Sequence, residues 1–422
     1  MNNKSMWSWC FYDFANSAFI TSVATFIYPI YFKTVLVPEK GIELMGLSIE
    51  GKTLFPLLIA ISLSFVFILS PWLGAKADLS SNRKSYLSFF CLLGGISTMS
   101  LVLTTQGDLL FGSLLFMGGM IGFSFGNVFY NSLIKEVASN EDIAKVSGRG
   151  WAVGYAGGFL ALVIHMVIIQ MHDKFGIDKE VATRIAMAST GLWWILFAIP
   201  LMLNVKEKSS KIQMNTDVEH QVKSPIKGMI HAFVTIRSVP YLGVFLMAFF
   251  MYNDAVQTTI SQATNLANEL LGMGMTEVLT AGMMIQFVAI FGSLLFLFLE
   301  KKIGTKKAVF IALINWCFIL VWASIMQNKT EFYILCAWVG LVLGVTQSGS
   351  RTLFAQQIPQ EHSAQLFSFY TVADRASAVV GPVLFAIGTM ILPIRYSILP
   401  MLIMLIIGTI WLKKIPMKTE IN

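Results

Sequence analysis

The sequence predicts an all-α membrane protein with twelve transmembrane helices in two pseudo-symmetric six-helix halves. Three observations carry this expectation. The AVILMFWYC set makes up 56% of the 422 residues and charged residues only 13%, about half the charged share usual in soluble chains. The apolar residues form long continuous runs bounded by charge, without the alternation of barrel strands. Features of the first half return, in order, in the second.

A span needs about 20 apolar residues, so twelve use roughly 240 and leave short loops. The runs fall near 7–32, 53–73, 85–104, 109–134, 150–171, 185–204, 239–263, 278–299, 308–326, 332–355, 366–390 and 394–412. The first follows one lysine, contains Asp13 and Asn16, and is too long for the apolar core of a signal peptide, so it reads as a retained helix. The fourth carries Gly118, Gly122 and Gly126. Small residues four apart clear one helix face for a neighbouring backbone. The fifth repeats the spacing at Gly154 and Gly158.

After the sixth comes the longest hydrophilic stretch, about Lys206–His231, with Ser209, Ser210 and several lysines. It reads as a flexible cytoplasmic linker. The expected domains are therefore 1–205, a linker at 206–236, and 237–422. The earlier signals then recur. Tyr252-Asn253-Asp254-Ala255 in the seventh run lies 240 residues after the Tyr12-Asp13 segment, and Glu300–Lys307 after the eighth echoes Gly74–Lys84 after the second. Gly340, Gly344 and Ser348 in the tenth stand 222 residues after the glycines of the fourth; Ser377 and Gly381 in the eleventh answer Gly154 and Gly158. Such a repeat predicts duplicated halves around a central path.

The net charge of +7 reads as membrane topology, not nucleic-acid affinity. With a cytoplasmic N-terminus, twenty Lys and Arg, from Lys4 to Lys418, fall on the cytoplasmic side. Eight, including Lys40, fall on the other, and Arg351 and Arg375 lie inside spans. The positive-inside rule then places both termini in the cytoplasm; a bacterial inner membrane is the expected setting. Cys10, Cys91, Cys317 and Cys336 lie in apolar stretches without a C-x-x-C pair and read as buried structural thiols. The histidines (165, 172, 220, 231 and 362) are scattered. No metal site, cofactor or enzymatic cluster is expected. No phosphate-binding G-x-x-x-x-G-K-[ST] occurs, so transport would be secondary. The expected partners are the lipid bilayer, a small-molecule substrate and protons, with the chain a monomer.

An ionisable group at bilayer depth costs at least about 2.5–3.5 kcal/mol on insertion scales, so each asks for a use. Asp13, Asp254, Asp374 and Arg375 are the clearest, with Tyr12, Asn16, Tyr252, Asn253, Gln257, Gln347, Arg351 and Tyr370 around them. Asp13, Asn16 and Ser17 share one helix face, as do Asn253 and Gln257, and Tyr370 and Asp374. Asp374 and Arg375 are neighbours in sequence, about 100° apart on a helix, and are not expected to pair well with each other. Arg375 instead suits an acid on another span or the pore. Arg351, near the end of its span, has a stem long enough to snorkel to water. Lys135 and Glu136, at a helix end, read as solvated.

The loop Gly74-Ala75-Lys76-Ala77-Asp78-Leu79-Ser80-Ser81-Asn82-Arg83-Lys84 resembles the major facilitator loop between helices two and three. Gly74, Asp78, Arg83 and Lys84 match; Leu79 and Ser81 stand where a basic residue and a glycine are usual. The resemblance implies a gating loop whose Asp latches to the end of helix eleven. The opening Trp9-Cys10-Phe11-Tyr12-Asp13-Phe14-Ala15-Asn16-Ser17-Ala18-Phe19 is more particular. With Ser147–Gly158, Tyr252–Gln257, and the stretch from Gly344 to Arg351, it resembles the branch containing the autophagy-linked vacuolar amino-acid effluxers and their bacterial relatives. Ala373-Asp374-Arg375 departs from that branch, where a small residue and Lys are usual. The resemblance implies the major facilitator fold and efflux of neutral amino acids.

Together these readings predict a secondary transporter moving a small polar or zwitterionic solute by alternating access, coupled to protons. Asp13 and Asn16 with Asn253, Asp254 and Gln257 would form the polar site. Arg375 would hold a carboxylate or gate the proton carrier, Asp374 or Asp13. The alternative is a permease for a larger amphipathic compound such as a siderophore or drug.

Overall fold

The computed structural model describes residues 2–38, 41–44, 47–49, 51–207 and 224–416. Lys40, Lys208, Ser209, Ser210, Lys211, His220, Lys223 and Lys418, used in the readings above, lie outside the described residues.

Among the described residues, eleven helices are long and apolar enough to cross a membrane, or twelve if one bent pair is a single span. In chain order the first six are Asn3–Leu36, Thr53–Ser80, Arg83–Leu103, Leu109–Val137, Ile143–Gln170 and Lys179–Asn204. The seventh is the bent pair Pro225–Ser238 with Leu242–Leu271. The last five are Thr276–Ile303, Thr305–Ile325, Lys329–Gln357, Ser363–Ile391 and Ile394–Lys414. Side chains such as Phe65, Phe67, Phe89 and Ile403 are half exposed or more, an apolar surface that suits lipid.

Three local features depart from the expectation. The loop before the second span pairs Ile42–Leu44 with Leu47–Ile49 as a short antiparallel hairpin. The first span is not a uniform α-helix: Phe19–Ile27 and Phe32–Leu36 are π-helical, flanking the short turn Tyr28–Tyr31. Pro29 lacks the N–H that would bond back one turn, which loosens the α register there. The expected linker is also partly folded, since Pro225–Ser238 is helical. It meets the following helix at 102°. Pro240 and Tyr241, the latter in the left-handed region at φ 61°, break the pair. Ile226, Ile230, Phe233 and Val234 give this helix an exposed apolar face beside Lys227 and Arg237.

The chain divides into two compact units, Met1–Val137 with Val153–Met229, and Ala138–Ala152 with Ile230–Asn422. The expected first domain, 1–205, therefore lacks one piece: residues 138–152 belong to the second unit. The physical reason is a set of bonds. Ser147 Oγ donates to the Ser348 carbonyl at 2.9 Å, and Arg351 donates to the Ser147 carbonyl at 2.8 Å.

Each unit repeats one internal pairing. The first span packs on the sixth as the seventh packs on the twelfth, and the fourth packs on the second and third as the tenth packs on the eighth and ninth. The glycine rows make these approaches possible. A Cβ on Gly122 would lie 2.6 Å from the Gly94 backbone, and one on Gly340 2.8 Å from the Ile285 carbonyl. Aromatic stacks fill the cores: Tyr28 on Phe116 at 4.1 Å in the first unit, Phe249 on Tyr370 at 4.4 Å in the second. Cys10, Cys91 and Cys336 are buried free thiols and Cys317 is half-buried.

Candidate functional site

In the first unit the polar face of the first span meets small residues of the fifth. A Cβ on Gly154 would lie 3.0 Å from Ser17 Oγ and 3.2 Å from Asp13 Cβ, and one on Gly158 2.7 Å from Thr21 Oγ1. Asp13, Ser17 and Thr21 are thus seated in a groove that only glycine leaves open. Asp13 is buried at 6% exposure. Asn16 Nδ2 donates to Asn127 Oδ1 of the fourth span at 3.0 Å. Tyr12 is wholly buried against Gly126 and stacks on Tyr130 at 4.9 Å.

Asn127 was not singled out from the sequence, although a polar residue next to Gly126 in an otherwise apolar helix was a usable signal. His165 was also missed. Ser22, in the π-helical segment, lies 2.6 Å from His165 Nδ1, and Ser189 lies 3.1 Å from Nε2. Ser189 also donates to the Ala186 carbonyl. Its one proton is spent there, so His165 donates from Nε2.

The second unit holds the densest polar cluster. Asn253 Nδ2 donates to Asp374 Oδ1 at 3.0 Å and to Ser377 Oγ at 2.7 Å. Its carbonyl accepts from Gln347 Nε2 at 3.2 Å. One buried amide thus ties the seventh, tenth and eleventh spans together. Arg375 Nη2 lies 3.4 Å from Asp374 Oδ2, both side chains about a quarter exposed. Adjacent residues do meet here, contrary to the expectation: long flexible stems offset the 100° step, and the resulting contact is loose. Arg375 remains partly open, with a planar donor fork suited to a carboxylate.

Other predicted residues take different surroundings. Asp254, fully buried, turns to the eleventh span and accepts the Gly381 N–H on Oδ1 at 3.0 Å. Tyr252 Oη pairs with Ser350 Oγ at 2.8 Å. Gln257 is half-buried. Tyr370 lies in the aromatic core between Phe249 and Phe354, not on the polar stripe with Asp374. Arg351 does not snorkel. It is 2% exposed, donates to Ser147, and sits 5.0 Å over the Trp151 ring. Buried carbonyl and hydroxyl acceptors within reach outcompete a route to water.

The loop expected to gate is a charge cluster within the first unit. Arg83 Nε donates to Asp78 at 2.7 Å and Nη1 to Glu136 at 2.9 Å. Glu136 is 1% exposed, so its expected solvation is corrected: the Arg83 guanidinium reaches it and pays for its burial. Glu207, unnoticed in the sequence, accepts the Arg83 backbone N–H at 2.9 Å and the Lys84 N–H at 2.6 Å. These are open donors of the third span's first turn, where an anion is favoured. Lys84 Nζ donates to the Val205 carbonyl at 3.0 Å. Burial holds the Glu207 carboxyl above its ordinary range, against the downward pull of the two N–H groups. Ser81, where a glycine is usual, sits at φ 49°, the left-handed region that glycine enters freely. Gly74 lies within the helix of the second span, ahead of the turn.

Comparison with known proteins agrees with this architecture. The chain is 28% identical to an MFS-type transporter of Bacillus subtilis, YxiO, over 98% of its own length and 95% of that protein. It is 25% identical to autophagy-related protein 22 of Cryptococcus neoformans over 63% of its length, a match spanning about half (49%) of the fungal protein. Among solved structures, the proton:xylose symporter XylE aligns at TM-score 0.76 and 12% identity, over 98% of this chain and 95% of that one. The human organic anion transporter MFSD10 aligns at 0.70 and 13%, over 97% and 99%. These structural likenesses establish the fold alone. The family described as "Vacuole effluxer Atg22 like" matches residues 1–422: the chain belongs to that family of major facilitator transporters.

Proposed function

We propose that this transporter moves a small polar or zwitterionic solute, amino-acid-like in chemistry, by alternating access coupled to protons. The observation that carries the reading is the Asn253–Gln347–Asp374–Ser377 cluster with Arg375 beside it. A carboxylate, a guanidinium and amides side by side match the opposite charges of a zwitterion. Arg375 would take the solute carboxylate, and Asp374 its ammonium. Asp13 and Asn16 would supply the polar contribution of the first half. Asp78, Arg83, Lys84 and Glu136 would brace the loop after the second span during the access change, with Asp78 latching to helix eleven. The family's description as a vacuole effluxer supports efflux as the direction.

We place the chain in a bacterial inner membrane with both termini cytoplasmic, on the charge distribution. Counterflow in proteoliposomes against a panel of amino acids and small metabolites tests the solute class. Exchange of neutral amino acids supports the reading; exchange confined to large amphipathic compounds refutes it. Labelling of Ser224→Cys, in a background with the native cysteines replaced, tests the orientation. Reaction from outside intact cells would overturn it.

A further inference from the structure

The seventh and eleventh spans share a seam that the solute cluster does not use. Asp254, Thr258, Gln262, Asn265 and Glu269 lie within an arc of about 80° on the seventh helix. Asp254 and Thr258 are both fully buried. Among the described residues, Asp254 Oδ2 and Thr258 Oγ1 have no hydrogen-bond partner. Unpaired buried oxygens are costly, and two of them one helical turn apart ask for a ligand. Gly381 leaves the room: its Cβ would fall 2.9 Å from Thr258 Cβ and 3.1 Å from Asp254 Oδ1. The next residue, Pro382, has no N–H and frees a carbonyl in the preceding turn of the eleventh helix.

Directly beyond lies a cavity of about 420 Å³ lined by Gln262, Asn265, Glu269, Pro382, Phe385 and Thr389, among others. It opens at the C-terminal end of the seventh span. Its floor, Gln262 and Pro382, is one turn (about 6 Å) from Thr258 and one residue from Gly381. Glu269 at the rim gives the mouth negative charge.

We propose that Asp254 and Thr258 form a binding site for a small monovalent cation, a proton or sodium, entered through this vestibule. The site names the coupling ion's seat for the transport reading above and rests on it. It moves that seat from Asp13 or Asp374, the latter engaged by Asn253 and Arg375, to Asp254. The charged groups around it are few. The eleventh span brings Asp374 and Arg375, engaged through Asn253 and with each other; the tenth brings Arg351, held on Ser147. The twelfth carries none between Arg395 and Lys413, and the ninth none after Lys307. Arg395, beside the mouth, donates to the Met326 carbonyl.

The test uses the full-length protein, with sodium chloride against choline chloride, and pH, as probes. A sodium site predicts a rise in Tm of about 5 °C at saturating sodium. A proton site predicts no sodium response. It predicts instead an infrared carboxyl band that is lost as pH is raised. Either response should be absent in Asp254→Asn, and weakened in Thr258→Val and Gly381→Ala. If Asp254→Asn does not fold, the near-isosteric Thr258→Val decides. A wild-type protein with neither response, or variants that keep it in full, overturns the proposal. Solute exchange needs no coupling ion. Exchange without an ion response at Asp254 therefore sinks this inference alone, and an ion response without amino-acid exchange sinks the solute reading alone.

Discussion

Asn253 is the joint of the second unit's polar cluster, and replacing it with Asp is the sharpest perturbation of it. Asn253→Ala removes three interhelical bonds, at 3.0, 2.7 and 3.2 Å. Such bonds average about 0.6 and reach about 1.7 kcal/mol in membrane proteins, so the loss is about 2–5 kcal/mol. Asn253→Asp keeps the shape but turns the donors into acceptors facing Asp374. Two unit charges 4 Å apart repel by about 4 kcal/mol at an effective dielectric of 20. The Asp variant should therefore melt below the Ala variant at neutral pH and recover as acid supplies a shared proton. The assay is thermal unfolding in detergent across pH, with a double-mutant cycle against Gln347→Ala. Coupling of about 0.6–1.7 kcal/mol is expected in the cycle. An Asp variant that melts at the wild-type temperature at every pH would refute the reasoning.

Asp13→Asn should express and fold, because the Gly154 groove accepts the same shape, yet raise the apparent KM for solute while leaving the pH dependence of transport in place; unchanged transport in both respects would make Asp13 a packing residue. Arg375→Ala should stay folded, since a loose, quarter-exposed pair is worth about 1 kcal/mol or less, while Arg375→Lys should raise the apparent KM because its ammonium lacks the bidentate fork. Arg351→Ala should lose about 3–5 kcal/mol from its bonds to Ser147 and its Trp151 contact, read as a fall in Tm that Arg351→Lys does not repair. Glu207→Gln tests linkage. With the folded pKa raised by burial, the native protein holds more protons than the unfolded chain just above the ordinary carboxylate range. Stability should fall as pH rises through that window, and the Gln variant should flatten the slope.

Apolar runs bounded by charge made the spans legible, because a helix in lipid must be long, apolar and self-paired whatever its neighbours. The glycine rows were legible for a related reason: no other residue permits backbones to close as at Gly122 or Gly344. Long polar side chains were harder. Arg351 and Glu136 each had two chemically sound destinations, water or a partner far away in sequence, and only folding brings Ser147 and Arg83 within reach. Glu207 carried no sequence signal, since one Glu among lysines at a span end looks like any solvated residue. The π-helical turn that points Ser22 at His165 follows from Pro29, but periodicity at 3.6 residues conceals it. For Asp374 and Arg375 the flexibility of their stems decided the pairing, which sequence spacing does not show.

The halves repeat their architecture and diverge in their chemistry. In the first, Asp13, Ser17 and Thr21 run along the groove of Gly154 and Gly158; in the second, Asn253 meets Ser377, and Asp254 and Thr258 meet Gly381. Both units thus press a polar stripe of their leading helix onto a small-residue row of their fifth. A duplicated helix pair explains the shared groove, because close approach depends on the absence of side chains and tolerates little change. The polar residues answer to a different demand. Tyr12 and Tyr252 stand 240 apart, yet the position matching Asp13 is Asn253, and Asp254 matches Phe14. The acid has moved by one residue, a turn of about 100° on the helix. That shift leaves an amide where the first half has a carboxylate, free to join Gln347 and Asp374, and sends the displaced carboxylate into the seam beside Gly381. One small change of register therefore separates two polar environments, an amide cluster with an ion pair beside it and a buried carboxylate set against Gly381.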